Sequence, residues 1–190
     1  MTINPRRILC LSGKRKSGKD YIAELLHAGI PNSIIIRISA PIKKYWSESK
    51  GLDMDKLMSD GAYKEEYRTE MIVWGEEKRA QDSGFFCRTA IEMLKGSDFP
   101  VWIVSDLRRE TDLKFFRDTY PNRVTCVRIS ASSEARVKRG FVFAAGVDDT
   151  ESENGLDHIQ DWDVCFQNDG DHLLLQGNLD HLTRICQESL

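Results

Sequence analysis

Residues 8–26, which read ILCLSGKRKSGKDYIAELL, decide the fold. The apolar run at the start of this stretch indicates a buried strand, and the residues from Tyr21 onward are typical of a helix. The loop between them follows the pattern G-x-x-x-x-G-K, whose glycines let the backbone wrap so that successive N–H groups point at phosphate oxygens. The N-terminus of the following helix adds partial positive charge. The stretch therefore predicts a phosphate-binding loop between strand and helix.

Cationic side chains crowd this loop. Lys19 is placed to reach the β- and γ-phosphates of a nucleotide. The next residue is Asp20, where the motif usually has Ser or Thr, and a carboxylate there can still hold Mg²⁺ directly or through water. The alternative is that Lys14-Arg15-Lys16 forms a solvated basic turn or a nuclear-import signal. The residues that we expect to bind ATP here are Gly13, Lys14, Arg15, Lys16, Ser17, Gly18, Lys19 and Asp20.

Four further apolar runs, at residues 34–38, 101–104, 124–129 and 164–166, predict short strands. Most are apolar nearly throughout, as strands buried on both faces of a parallel sheet are. Segments with helical spacing separate them, and strands that alternate with helices imply right-handed crossovers. We therefore predict a three-layer α/β/α P-loop kinase fold, with a parallel sheet of about five strands, as a single domain over residues 1–190.

Composition excludes several classes of protein. Hydrophobic residues make up 41% and charged residues 30% of the chain, a globular balance. No apolar run approaches the ~20 residues that span a bilayer, and the N-terminus has no signal-peptide pattern. A net charge of -3 argues against a general nucleic-acid binder. Five cysteines without a C-x-x-C pair favour core thiols in a reducing compartment, and the four histidines are not spaced to complete a zinc site.

An acid and two arginines follow the third apolar run. Asp106 would lie at the carboxyl edge of the sheet, where ligands bind, although it is also a candidate N-cap for the next helix. Arg108 and Arg109 are planar donors that suit phosphate oxygens, unless they form a surface pair without a role. We predict that Asp20 and Asp106 hold the metal and that the catalytic groups are Lys16, Lys19, Arg108 and Arg109.

Residues 63–79 have helical spacing, with an aromatic and methionine face turned to the core. Lys64, Arg68, Gly75 and Arg79 share an adjacent stripe. Three cations beside a glycine indicate an acceptor site for an anion, although interspersed glutamates equally allow a solvated helix with internal ion pairs. The residues that we expect to extend this acceptor site are Lys43 and Arg88.

Residues 133–157 combine cations with a polar, acidic stretch that has glycines at both ends. This pattern suits a mobile lid that closes over phosphates and carries Arg136 and Arg139 with it. The acids do not have the spacing of an EF-hand calcium loop.

The sequence contains no Ser-His-Asp or Cys-His arrangement. Phosphoryl transfer to a hydroxyl would require a base to remove the hydroxyl proton. A phosphate acceptor is already ionised near neutral pH, so its oxygen can attack without losing a proton. Each phosphate carries roughly -1.5 to -2 charge, so bringing two together requires many cations. The residues therefore favour phosphate-to-phosphate transfer.

Several segments closely resemble the animal-type phosphomevalonate kinase family over nearly the whole chain. They are residues 12–20, 63–65, 74–79, 84–88, 104–109, 146–149 and 151–153. The resemblance includes the unusual Asp20. It implies a nucleoside-monophosphate-kinase-like fold and ATP-dependent conversion of (R)-5-phosphomevalonate to 5-diphosphomevalonate, with release of ADP, in the mevalonate route to isoprenoids and sterols. It also implies a monomer that binds neither nucleic acid nor membrane.

The resemblance also implies roles for single residues. Arg139 would contact the nucleotide, Asn168 the substrate and Asp169 the ATP. Asn178 stands where the family places a glutamine near the nucleotide. Some members end in a peroxisomal tripeptide, but Glu188-Ser189-Leu190 lacks its central cation, so we expect a cytosolic protein.

Two other functions fit parts of the pattern. A nucleoside-monophosphate kinase would need a second base pocket, whereas the acceptor stripe offers cations rather than aromatics. A GTP-dependent switch protein would need an Asn-Lys-x-Asp guanine-reading motif, and the sequence has none.

Overall fold

The computed structural model describes residues 5–59 and 62–188. Its sheet has five parallel strands in the order β2-β3-β1-β4-β5. This confirms the predicted α/β fold with a parallel five-stranded sheet. The strands are β1 (Arg7–Ser12), β2 (Ser33–Ile36), β3 (Val101–Leu107), β4 (Val124–Ser130) and β5 (Val164–Gln167).

Helices connect the strands and cover both faces of the sheet. Four helices, α2 to α5, follow one another along the chain between β2 and β3. The helices are α1 (Lys19–Gly29), α2 (Ala40–Lys50), α3 (Met54–Met58), α4 (Ala62–Gln81), α5 (Phe85–Met93), α6 (Glu110–Thr119), α7 (Ser133–Lys138), α8 (Glu151–Asn154) and α9 (His172–Gln187).

The central strand β1 divides two hydrophobic cores. Ile8 and Cys10 pack into one core with residues of α2, α4, α5 and α6, whereas Leu9 and Leu11 pack into the other with α1 and α9. The central strands β1 and β3 are thus buried on both faces, which explains their nearly continuous apolar runs. Full burial of each such side chain contributes about 1.5–3 kcal/mol.

Two predicted helices lie close to their expected positions. Helix α4 contains the predicted residues 63–79, with Met71 buried. Helix α9 begins after Asp171, whose side chain accepts hydrogen bonds from the N–H groups of Leu173 and Leu174. No helix among residues 5–59 and 62–188 has both the length and the apolar character needed to cross a membrane.

Two predicted details are wrong. The second strand ends at Ile36 instead of continuing to Ile38, because the N–H of Ile38 donates to the side chain of Asp106 and not to the backbone of the neighbouring strand β3. All five cysteines are free, and four are buried, but Cys165 is exposed on the edge strand β5. The expectations about the N-terminus and the C-terminal tripeptide concern residues 1–4 and 189–190, which lie outside the described residues.

Candidate functional site: a cation-lined cavity at the phosphate loop

The loop between β1 and α1 has a backbone that only glycine adopts easily at one position. Gly18 has a φ of 91°, in the left-handed region. A Cβ there would also collide with Nδ2 of Asn168. Asn168 needs this position because its Nδ2 donates to the carbonyl of Ser17 at 2.9 Å. The second glycine of the motif is therefore required both by conformation and by close packing.

Replacing Gly18 by alanine should weaken ATP binding. The left-handed conformation costs an alanine about 1–2 kcal/mol, and the collision with Asn168 adds to it. We expect the KM for ATP to rise about tenfold or more. Gly29→Ala is the matched control, because Gly29 ends the same helix with open space around it. An unchanged KM in Gly18→Ala would contradict the predicted role of the loop.

Lys19 begins α1 and is almost completely buried at 5% exposure. Its Nζ donates to Oδ2 of Asp20 at 2.9 Å. Burial lowers the pKa of Lys19, the nearby Arg108 lowers it further, and Asp20 opposes the shift. An ammonium group that is short of solvent has a strong electrostatic interaction with any anion that enters.

A cavity of about 500 Å³ lies in front of this lysine. Three parts of the chain bring the predicted residues together around it. The loop and α1 contribute Arg15, Lys16, Lys19 and Asp20. Helices α2 and α4 contribute Lys43, Lys64, Arg68 and Arg79. The carboxyl end of β3 and the turn after it contribute Asp106, Arg108 and Arg109.

Asp106 is the second-last residue of β3, the strand beside β2, and does not cap the next helix. Its two carboxylate oxygens accept the N–H groups of Ile38 at 2.6 Å and Ser39 at 3.0 Å. Burial alone would raise the pKa of Asp106, but these hydrogen bonds and the nearby Lys43 outweigh it and hold the pKa below its ordinary value. Asp106 therefore carries its negative charge at neutral pH.

The cavity lining also contains a buried charge cluster. Arg79 lies over the ring of Phe86 at 4.6 Å, and its Nε is 3.7 Å from Oδ1 of Asp112. Arg109 forms an ion pair with Glu76. The Nε atoms of both arginines and Oδ2 of Asp112 have no hydrogen-bond partner among the described residues. Burial raises the pKa of Asp112, and the two arginines oppose that shift.

Two further cations line the cavity. Burial lowers the pKa of Lys43 to about 8, against the opposing attraction of Asp106. Arg68 holds both oxygens of Glu65, with Nε–Oε2 at 2.8 Å and Nη2–Oε1 at 2.6 Å. The sequence of α4 allowed either an anion-binding stripe or a helix with internal ion pairs. Arg68 has both features, because it forms an ion pair within the helix and also lines the cavity.

The remaining predicted residues lie outside this cavity. Arg88 forms an exposed ion pair with Asp82. Lys14 contacts Asn154 at 3.0 Å and Asp157 at 2.6 Å. Gly13, Ser17 and Gly18 contribute backbone to the loop.

Arg136 and Arg139 support the phosphate loop from the side of α7. Arg136 Nε donates to the carbonyl of Arg15 at 2.8 Å. Arg139 donates to the carbonyls of Lys16 and Ser17 at 3.2 Å and to that of Asn168 at 2.6 Å. These contacts hold the loop backbone through its carbonyl groups.

Asp169 and Asn178 serve local structure. Asp169 accepts the N–H of Ser132 at 2.7 Å, and its pKa is lowered mainly by this bond. Asn178 Nδ2 donates to the carbonyl of Leu174 within α9.

The donor set fits a magnesium ion that accompanies phosphates. Within residues 5–59 and 62–188, no group of three or more His, Cys, Asp or Glu side chains could hold a metal ion by itself. Asp20 and Asp106 nevertheless face the same cavity. Mg²⁺ is ordinarily held by one or two carboxylates together with water and substrate phosphates, so two carboxylates suffice.

The cavity residues that sequence reasoning missed include two buried carboxylates, Asp112 and Glu153. Asp112 lies on α6, far along the chain from Arg79, and no local pattern links them. Glu153 was part of a segment that we expected to act as a lid. Its contacts are with Arg15 and Arg108, which only the folded chain brings near.

Comparisons with known proteins agree with this geometry. A family model described as phosphomevalonate kinase matches residues 11–122. A phosphomevalonate kinase from Drosophila melanogaster is 49% identical over 167 residues, covering 86% of this chain and 88% of the relative. The crystal structure of TT1252 from Thermus thermophilus covers 95% of this chain and 98% of its own, with a TM-score of 0.54 and 17% identity. That structure shares the fold.

Proposed function

This chain belongs to the phosphomevalonate kinase family, and from that membership we propose that it transfers the γ-phosphate of ATP to (R)-5-phosphomevalonate. The products are 5-diphosphomevalonate and ADP, in the mevalonate route to isoprenoids and sterols. The observation that carries the proposal is the cavity itself, which is lined both by the phosphate-loop lysine Lys19 and by the buried arginines Arg79 and Arg109.

The carboxylates of this cavity support a phosphate acceptor rather than an alcohol. Asp106 accepts two backbone N–H groups, Glu65 is held by Arg68, and Asp20 pairs with Lys19. Each of these three carboxylates is thus engaged with a cation or with backbone N–H groups, and a phosphate acceptor needs none of them as a base. A phosphate acceptor attacks without losing a proton, so the residues have only to align two anions and screen their repulsion.

We assign one group of cavity residues to ATP and another to the acceptor. The phosphate loop and Lys19 hold the β- and γ-phosphates of ATP, and Lys16, Arg108 and Arg109 neutralise charge as the phosphoryl group moves. The guanidinium of Arg79 is buried and can donate two parallel N–H groups, which suits it to bind a phosphate of the acceptor. The acceptor residues are Lys43, Lys64, Arg68, Arg79 and Arg108.

Mg²⁺ is the proposed cofactor, with Asp20 and Asp106 as the protein groups that would hold it. Bound there, it would supply positive charge to the β- and γ-phosphate oxygens. Asp106 is suited to this role because two backbone N–H groups fix its carboxylate and keep it ionised.

The remaining features of the proposal concern the whole molecule. Residues 133–157 act as a lid that brings Arg136 and Arg139 toward the nucleotide. The enzyme works as a monomer in the cytosol. The five free cysteines support the cytosolic location, because thiols stay reduced there.

The test is a coupled assay of ADP release with Mg-ATP. We expect turnover with phosphomevalonate and far less with mevalonate or with a panel of nucleoside monophosphates. Turnover of a nucleoside monophosphate in preference to phosphomevalonate would replace this proposal with a nucleoside-monophosphate kinase. Preference for GTP over ATP would indicate a different class of P-loop protein.

The acceptor step should weaken in alkaline solution. Lys43 has a pKa of about 8, so its positive charge is lost as the pH rises through that value. The kcat/KM for the acceptor reports groups of the free enzyme and should therefore fall in this range. Lys43→Arg keeps a charged guanidinium at all these pH values and should move the fall to higher pH. If wild type and Lys43→Arg have the same alkaline limb, another group is responsible.

A further inference from the structure

Glu153 is a buried carboxylate in the segment expected to act as a lid. Its side chain is only 3% exposed, whereas Glu151 in the same short helix is exposed. Taking a carboxylate out of water is unfavourable unless charged or N–H partners replace the water. Its partners therefore indicate what the residue does.

The two oxygens of Glu153 join two parts of the site. Oε2 accepts the backbone N–H of Arg15, in the phosphate loop, at 2.9 Å. Oε1 forms an ion pair with Nη1 of Arg108, which also donates to the carbonyl of Ser152 at 3.0 Å. Helix α8 thus holds the guanidinium of Arg108 and the middle of the phosphate loop at the same time.

The position of Arg108 matters because of its neighbour. Arg108 lies close enough to Lys19 for its charge to lower the pKa of that lysine, so both cations face the same part of the cavity. A free arginine side chain samples many rotamers and repels a neighbouring lysine. The buried carboxylate of Glu153 restricts the rotamers of Arg108 and offsets its repulsion with Lys19 before substrate binds.

We propose that Glu153 is a positioning residue, which fixes Arg108 beside Lys19 for phosphoryl transfer and couples helix α8 to the phosphate loop. It acts through Arg108. The inference rests on the proposed function of this cavity and adds to it a residue from a segment otherwise assigned to closure.

The alternative is that Glu153 stands in for a phosphate and must leave when ATP binds. The two ideas predict opposite signs. If the carboxylate only competes with ATP, then removing its charge should lower the KM for ATP and leave kcat intact. If it positions Arg108, then kcat should fall.

The experiment measures kcat and both KM values of Glu153→Gln, with Glu151→Gln as the matched control. We expect kcat to fall about 10- to 100-fold in Glu153→Gln, as for other misplaced catalytic groups, with a KM for ATP within about threefold of wild type. Glu151→Gln should match wild type. If Glu153→Gln does not fold, Glu153→Asp keeps the charge but withdraws it by one methylene, and it should also lose kcat.

A double-mutant cycle separates positioning from a general structural role. In the Arg108→Ala background, Glu153 has lost its guanidinium partner, so Glu153→Gln should cause no further loss of kcat or should restore part of it. Equal losses in both backgrounds would overturn the proposal, as would a wild-type kcat in Glu153→Gln. An inactive wild type would instead overturn the proposed function, and this inference with it.

Discussion

Replacing Lys19 by methionine should abolish turnover. The substitution keeps the length of the side chain and removes the ammonium group that faces the transferred phosphate. Loss of one fixed electrostatic partner of a transition state costs about 10²–10³ in kcat, and a buried cation at a phosphoryl group should lie at or above the upper end. We therefore expect at least about a 10³-fold loss in kcat, measured by ADP release with saturating phosphomevalonate.

The control for this variant is Lys44→Met. Lys44 lies on α2 and is half exposed, with Glu48 as its ion-pair partner, so the same substitution should leave kcat and both KM values close to wild type. Thermal unfolding should show that both variants are folded. Substantial turnover by a folded Lys19→Met protein would show that Lys19 is not catalytic. It would also contradict the assignment of the phosphate loop to ATP.

Replacing Arg79 by alanine should act on the acceptor. The guanidinium lines the cavity and is buried between Phe86 and Asp112. Truncating one partner of a buried charge pair costs about 2–5 kcal/mol, so we expect kcat/KM for phosphomevalonate to fall about 100-fold or more. The KM for ATP should change much less.

The same substitution leaves Asp112 without its nearest cation, which should also reduce stability. Arg79→Ala combined with Asp112→Asn removes the uncompensated charge and should recover much of the stability without recovering acceptor binding. Arg117→Ala is the control, since the partly buried Arg117 pairs with Asp161 and does not line the cavity. If the double variant regained the wild-type KM for phosphomevalonate, Arg79 would act only through folding and not on the acceptor.

The interplay of local and distant residues explains which parts of this site a sequence can predict. The phosphate loop was predictable because its strand, glycines, lysine and helix are contiguous, and each imposes a local backbone preference. The parallel sheet was predictable because a strand buried on both faces needs apolar residues throughout. The limits of β2 were not, because the side chain of Asp106, which is far along the chain, accepts the N–H of Ile38.

The sequence by itself determined a nucleotide-binding α/β fold and a chain rich in cations around one loop, because these depend on contiguous residues and on composition. Only the tertiary structure decided how the cations are held. It placed Asp112 beside Arg79, and Glu153 between Arg15 and Arg108. A buried charge must be compensated by whatever the fold brings within a few ångströms, and that partner can come from any position in the chain.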